Sequence, residues 1–163
     1  MENSKKLVVY YSYTGHTKMI AESIQKQLKC DILEIKPVKP YSTDYQTVVD
    51  EEQNNSSVNK VPEIQKIDKD LNQYDEIIIG SPVWWYTIAP VIRTFLTKYD
   101  LTGKTIKPFA TNAGWFGHTF QEIQKLCPNS KAEKEMNIVF TEDYTENQLV
   151  TAPDEIDEWI DEL

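Results

Sequence analysis

The chain has 163 residues, a length that suits one domain, and its charged and apolar fractions are those of an ordinary globular protein. Asp and Glu outnumber Lys and Arg by 26 to 17, giving a formal net charge of -9, which argues against the clustered cations that grip a nucleic-acid backbone. No apolar run approaches the roughly 18 residues of a membrane span, and residues 1–6 are polar, so neither membrane insertion nor a secretory leader is expected and the expected address is the cytoplasm.

Residues 7–11 form a continuous apolar run, as expected of a central strand covered on both faces. A loop follows, and then Ile20, Ala21, Ile24 and Leu28 line one face of a helix. Residues 32–35 read as a second, more mixed strand. Residues 37–62 are polar and long, and Thr43 and Gln46 are spaced as a capping box before a short helix through Val49, so the segment reads as a surface excursion within the domain. Asn54 and Asn55 each open an Asn-x-Ser triplet, which has no meaning without secretion.

Residues 77–79 are three consecutive isoleucines and read as the third strand. Ile88, Val91, Ile92, Phe95, Leu96 and Tyr99 then repeat at helical spacing, with Pro90 suited to the first turn. Thr102 and Gly103 provide a turn into a fourth strand, residues 106–111, with Pro108 expected near its start. Phe120, Ile123, Leu126 and Cys127 mark a third helix, and residues 136–140 a fifth strand. Ile156, Trp159 and Ile160 mark a last helix, whose first turn carries Pro153, Asp154 and Glu155. Strands alternating with helices predict an α/β fold: a single domain over residues 1–163, with a doubly wound, five-stranded parallel sheet in the order 2-1-3-4-5. Cys30 and Cys127 form no CxxC and no metal-ligand spacing, and read as two reduced thiols without a functional role.

Three loops at carboxyl ends of predicted strands carry the chemistry. The first holds Ser12, Tyr13, Thr14, Gly15, His16 and Thr17 between strand one and helix one. Hydroxyls, a glycine and the unpaired N–H groups of a helix start can hold an anion without arginine, and Arg93 is the only arginine in the chain. The second holds Gly80, Ser81, Pro82, Val83, Trp84, Trp85 and Tyr86. Three adjacent aromatics cannot all enter one core, and a flat ligand stacked on one of them is a better use of the group. The third holds Thr111, Asn112, Ala113, Gly114, Trp115, Phe116 and Gly117. In the order 2-1-3-4-5 all three converge at the switch point between strands one and three, so a phosphate at one loop and a planar ring between the other two describe FMN.

Other nucleotide motifs fail. No GxGxxG follows a strand, and Gly103, Lys104 and Thr105 would need a glycine at position 98, where Lys98 stands. A phosphatase loop would need a cysteine where Thr87 precedes Arg93, and a receiver domain would need acidic residues where Tyr11, Ser12, Gly80 and Ser81 stand.

In this order the three loops resemble those of flavodoxins, especially short-chain flavodoxin-like flavoproteins with a Trp-Trp loop, and the resemblance spans nearly the whole chain. It implies FMN as cofactor, with the phosphate held by Ser12, Thr14, Gly15, His16 and Thr17, and Tyr13 in the same loop. The ring would be contacted by Pro82, Val83, Trp84 and Trp85 and by Thr111, Asn112, Ala113 and Gly114, with Trp115 beside them. The chain departs from many flavodoxins in having no glycine among Val83, Trp84 and Trp85, where a positive φ faces the flavin. The implied role is electron transfer, to a redox partner protein with a basic docking surface or to a small-molecule donor or acceptor. An FMN-dependent NAD(P)H or quinone reductase and a flavin-binding regulatory module are the alternatives. No catalytic side chain and no metal ligand is assigned, because the flavin carries the redox chemistry.

Overall fold

A computed structural model describes residues 5–13, 15–39, 62–84, 86–140 and 149–163. In chain order the elements are β1 (Lys6–Tyr10), α1 (His16–Leu28), β2 (Asp31–Glu34), β3 (Glu76–Trp84), β4 (Thr87–Ile88), α2 (Pro90–Lys98), β5 (Thr105–Asn112), α3 (Thr119–Leu126), β6 (Lys131–Ala132), β7 (Met136–Val139) and α4 (Pro153–Asp161). The sheet runs β2-β1-β3-β5, with β6 and β7 sharing the outer side of β5, and every pairing is parallel except that of β4 with β3. The fold class is the predicted one and the first four positions follow the predicted order, while the fifth differs.

Alternation along the strands sends successive side chains to opposite layers. Leu7, Val9, Ile77, Ile79 and Ile106 pack with Val91, Ile92 and Phe95 of α2 and Ile123 of α3. Val8, Tyr10, Ile78 and Phe109 pack with Ile20, Ala21 and Ile24 of α1 and with Ile156, Trp159 and Ile160 of α4. Burial on both faces explains why the central strands read as unbroken apolar runs. Strand β3 tolerates no side chain at Gly80: a Cβ there would lie 2.1 Å from the ring of Phe109, its register partner on β5.

Two features differ from the predicted sheet. First, β3 continues past the isoleucines to Trp84 and turns back as β4, a short antiparallel hairpin with Val83 opposite Ile88 and Trp84 opposite Thr87. Second, the fifth position is split. From Ile106↔Ala132 to Phe109↔Met136 the outer side advances four residues against three on β5, and Lys134 takes up a positive φ of 59° there.

Pro108 accounts for the split. It is the fourth of eight residues in β5, not near the strand's start. Thr105 donates its N–H toward β3, to the carbonyl of Asp75, so even-numbered residues of β5 face the outer edge. A proline in that series offers no donor to an outer strand, and the interruption falls opposite it. The break opens a cavity of about 710 Å³ lined by Pro108, Phe120, Gln124 and Lys134, among others.

The long polar segment is clipped at its base: Val38 N–H donates to Glu63, Gln65 N–H donates to Lys36, and Pro37 bridges Ile64. The expected short helix through Val49 lies outside the described residues. At the amino-terminal end of the sheet, Glu76 receives Lys6 at 2.8 Å and Lys107 at 3.0 Å. That cluster is at the end opposite the three loops.

Candidate functional site

The registers Tyr10↔Gly80 and Gly80↔Phe109 level the carboxyl ends of β1, β3 and β5, so the loops that follow them leave the sheet side by side. In the first loop, Ser12 Oγ accepts the N–H of Gly15 at 3.1 Å and bends the chain into α1. Gly15 is the N-cap residue, at a φ of 100° that disfavours a side chain, and the space where its Cβ would stand is open. Among the described residues no side-chain cap is made at the start of α1, whose first helical bond runs from Met19 N–H to the Gly15 carbonyl. The remaining first-turn N–H groups and the positive end of the helix dipole form a donor set for an anion.

His16 lays its ring parallel to that of Phe140, with centroids 4.0 Å apart. Thr17 is buried, and its hydroxyl oxygen lies 2.8 Å from that of Thr111, also buried. Thr14 lies outside the described residues.

In the second loop, the buried Ser81 hydroxyl accepts the N–H of Ala89 at 2.9 Å and donates to the Pro82 carbonyl at 2.8 Å, which fixes the base of the β3–β4 hairpin. Pro82, Val83 and Trp84, which lead up to its turn, are half-buried. Trp84 meets both Tyr11 and Tyr13 edge to face, each at 5.9 Å between centroids. Trp85 lies outside the described residues. Tyr86 adopts a positive φ of 67°, so a left-handed residue does occur in this loop, although no glycine supplies it. The hydroxyl of Thr87, buried beside the hairpin, makes no hydrogen bond among the described residues.

In the third loop, Asn112 Oδ1 accepts the N–H of Gly114 at 2.8 Å, while its Nδ2 donates to Asn137 Oδ1 on β7. Gly114 takes a φ of 132° in open space, Ala113 is exposed, and Trp115 is 68% exposed. The ring of Trp115 lies 4.9 Å from that of Tyr86. Gly117, at a φ of 56°, packs so closely on Tyr86 that a Cβ would come within 2.2 Å of the Tyr86 carbonyl, and that carbonyl accepts the His118 N–H at 2.6 Å.

Every pair of loops is thus in contact: Tyr13 with Trp84, Thr17 with Thr111, and Tyr86 with Trp115. The described candidates, Ser12, Tyr13, Gly15, His16, Thr17, Pro82, Val83, Trp84, Thr111, Asn112, Ala113, Gly114 and Trp115, are carried by these three adjoining loops. Tyr11, Tyr86, Gly117 and His118 join them and were not among the predicted site residues. Gly117 offered a signal, since a second glycine three residues after Gly114 marks another special backbone position.

A phosphate and a flat ring fit this arrangement. The uncapped helix start beside Gly15 provides donors with room alongside, and the aromatic second and third loops provide flat apolar surface. Among the described residues, no helix is long and apolar enough to cross a membrane.

Comparison with curated proteins gives no match. Among solved structures, a Bacteroides eggerthii protein described as a flavoprotein is 30% identical, with 98% of this chain and 97% of that one covered at a TM-score of 0.76. A flavoprotein from Lactobacillus acidophilus, solved in complex with FMN, is 28% identical, with 83% of this chain and 93% of that one covered at a TM-score of 0.71. Oxidised flavodoxin 1 from Bacillus cereus is 16% identical over 97% of this chain and 93% of its own, at a TM-score of 0.56, a likeness of fold alone. The flavodoxin family model matches residues 5–162, and the chain belongs to the flavodoxin family.

Proposed function

We propose that the chain binds one FMN where its three loops meet and passes electrons between that flavin and a partner. The observation that carries this reading is the closure of all three loops on one another through Tyr13 and Trp84, Thr17 and Thr111, and Tyr86 and Trp115. The complex of the Lactobacillus acidophilus relative with FMN supports the choice of ligand.

The flavin supplies the redox chemistry when bound. The chain's residues bind and orient. The backbone N–H groups after Gly15 donate to the phosphate, and Ser12 holds the loop in the shape that presents them. An uncharged cradle of this kind fits a terminal monophosphate. Trp84, braced by Tyr11 and Tyr13, forms one wall of the ring pocket, and the turn stabilised by Asn112 forms the other. Trp115 and Tyr86, both largely exposed, leave an aromatic rim at the surface through which a partner reaches the flavin. The net charge of -9 favours partners with a basic docking face.

Reconstitution and reduction test both parts. The apoprotein is expected to take up about one equivalent of FMN and to discriminate against FAD. Photoreduced holoprotein is expected to reduce a basic one-electron acceptor such as cytochrome c at a rate that falls with ionic strength. Indifference to FMN would overturn the cofactor reading, and rapid steady-state oxidation of NAD(P)H would replace the carrier with a reductase.

A further inference from the structure

Arg93, the only arginine of the chain, is 5% exposed and lies in the first turn of α2. Its Nε donates to Glu122 Oε1 at 3.3 Å, and its Nη2 lies 3.2 Å from the same oxygen. Glu122 stands in the first turn of α3. Neither residue belongs to the three loops, yet α2 follows the hairpin of the second loop and α3 follows the third.

The pair closes a polar circuit around those two loops. From the hairpin, Ser81 Oγ holds Ala89 N–H, and the Ala89 carbonyl accepts the N–H of Arg93 at 3.2 Å. The Arg93 guanidinium then meets the Glu122 carboxylate. Glu122 N–H donates to the His118 carbonyl at 2.8 Å, and His118 N–H returns to Tyr86 in the hairpin at 2.6 Å. The circuit has one long side-chain link, and that link is the ion pair.

Arg93 is buried and Glu122 partly so, and an ion pair drawn out of water is a weak means of stabilising a fold, since desolvation opposes the attraction and an apolar pair of similar volume does as well or better. This pair is also poorly formed for that purpose. Both nitrogens crowd one carboxylate oxygen, and the Nη2 contact is too misaligned to count as a hydrogen bond. What an ion pair supplies that an apolar pair does not is directional registration of two helix starts.

Building on the FMN reading, we propose that Arg93 and Glu122 are positioning residues that set the spacing of the second and third loops, and so govern the grip on the flavin ring but not on its phosphate. The phosphate loop is outside the circuit, joined to it through Thr17 and Thr111 and through Tyr13 and Trp84.

The test compares wild type with Arg93→Lys, Glu122→Gln and the double variant Arg93→Met with Glu122→Leu, measuring apoprotein melting, affinity for FMN and for riboflavin, and the visible circular dichroism of bound flavin. The double variant is expected to melt close to wild type. It is expected to bind FMN and riboflavin about tenfold more weakly, by the same factor for both, on the scale of one coupling energy between contacting residues. Its dichroism band should weaken, and Arg93→Lys, which keeps the charge, should recover part of affinity and band together.

Should the double variant not fold, Glu122→Gln keeps the shape while removing the charge and is expected to show the same equal loss in smaller measure. Unchanged affinity and dichroism in folded variants overturn the proposal. So does a loss confined to FMN, or a loss that tracks melting temperature with no recovery in Arg93→Lys. A wild-type chain that binds neither flavin overturns the FMN reading itself and this proposal with it, whereas a binding wild type with indifferent variants overturns this proposal alone.

Discussion

The hydroxyl oxygens of Thr17 and Thr111 lie 2.8 Å apart, both residues are buried, and 94 positions of sequence separate them. One stands at the start of α1 and the other near the end of β5, so a single hydroxyl pair joins the proposed phosphate loop to the proposed ring loop.

That relationship predicts a non-additive pair of substitutions. Thr17→Val or Thr111→Val alone strands a buried hydroxyl and should destabilise the apoprotein by about 1–3 kcal/mol, whereas replacing both partners by valine should be nearly neutral. For a chain of this length each kcal/mol shifts Tm by about 2–4 °C. Thermal melts of the two single variants and the double variant provide the cycle, and additive losses would mean that the two hydroxyls do not depend on each other.

Gly80 is predicted to be intolerant of any side chain. It sits in the middle of the sheet, and the Cβ of Gly80→Ala would stand 2.1 Å from a fully buried Phe109 ring, so the ring or the strand must move. Overpacking of this kind costs about 1–3 kcal/mol or more. Gly80→Ala should lower the urea midpoint clearly, and adding Phe109→Leu should return part of the loss by vacating the space. If Gly80→Ala alone proves neutral, the close packing of the strands on this face is misjudged.

The architecture was legible in the sequence because double burial leaves a plain mark. Ile77, Ile78 and Ile79 all reach zero exposure, alternating between two helical layers, so the run could be read as a central strand without knowing its neighbours. The ligand loops were legible because glycine, hydroxyl and aromatic residues collected at strand ends. What escaped depends on pairing across space. Pro108 looked like a strand-start residue, and only the outward direction of its missing donor shows why it sits mid-strand opposite a break. Strand β4 is two residues long, below the reach of periodicity. Arg93 and Glu122 are 29 positions apart on different helices, and nothing in either helical pattern links them.

Stability against pH should be limited at both ends by groups remote from the flavin loops. Burial alone would raise the Glu76 carboxyl, but hydrogen bonds from Lys6 and Lys107 and their charges outweigh it and hold the carboxyl below its ordinary 4.5. Because the folded value is the lower one, Glu76 stabilises the fold above pH 4.5, and that contribution disappears as pH falls through the depressed value. Tyr74 behaves in the opposite sense. Burial first, then its hydrogen bond to Asp31, pushes the phenol up to about 12, so its contribution is complete below 10 and is lost as pH rises from there toward 12. Urea unfolding of wild type and Glu76→Gln from pH 3 to 8 checks the acid limb: the two curves should converge in acid, and parallel curves would rule out this carboxylate as the source.

The electrostatic prediction concerns the flavin itself and follows from net charge acting on a site whose proposed phosphate loop carries no arginine. Full reduction of bound FMN adds negative charge to a chain that already carries -9. A unit charge about 10 Å away interacts by about 1.7 kcal/mol at an effective dielectric of about 20, so nearby carboxylates resist the added electron. Salt attenuates exposed charges over a Debye length of about 8–10 Å, which restricts the effect to close groups and makes it dependent on ionic strength. At about 59 mV per 1.36 kcal/mol for one electron, the sum reaches the order of 100 mV. Arg93 is too deeply engaged with Glu122 to offset it, since the two charges cancel at any distance much larger than their 3.2 Å separation. The potential of the one-electron step that forms the hydroquinone should therefore lie below that of free FMN and rise as salt is added. Spectroelectrochemical titration at low and high ionic strength measures both quantities, and a potential above that of free FMN with no salt dependence would mean that contacts at the ring, not the charge of the surface, set the energy of this flavin.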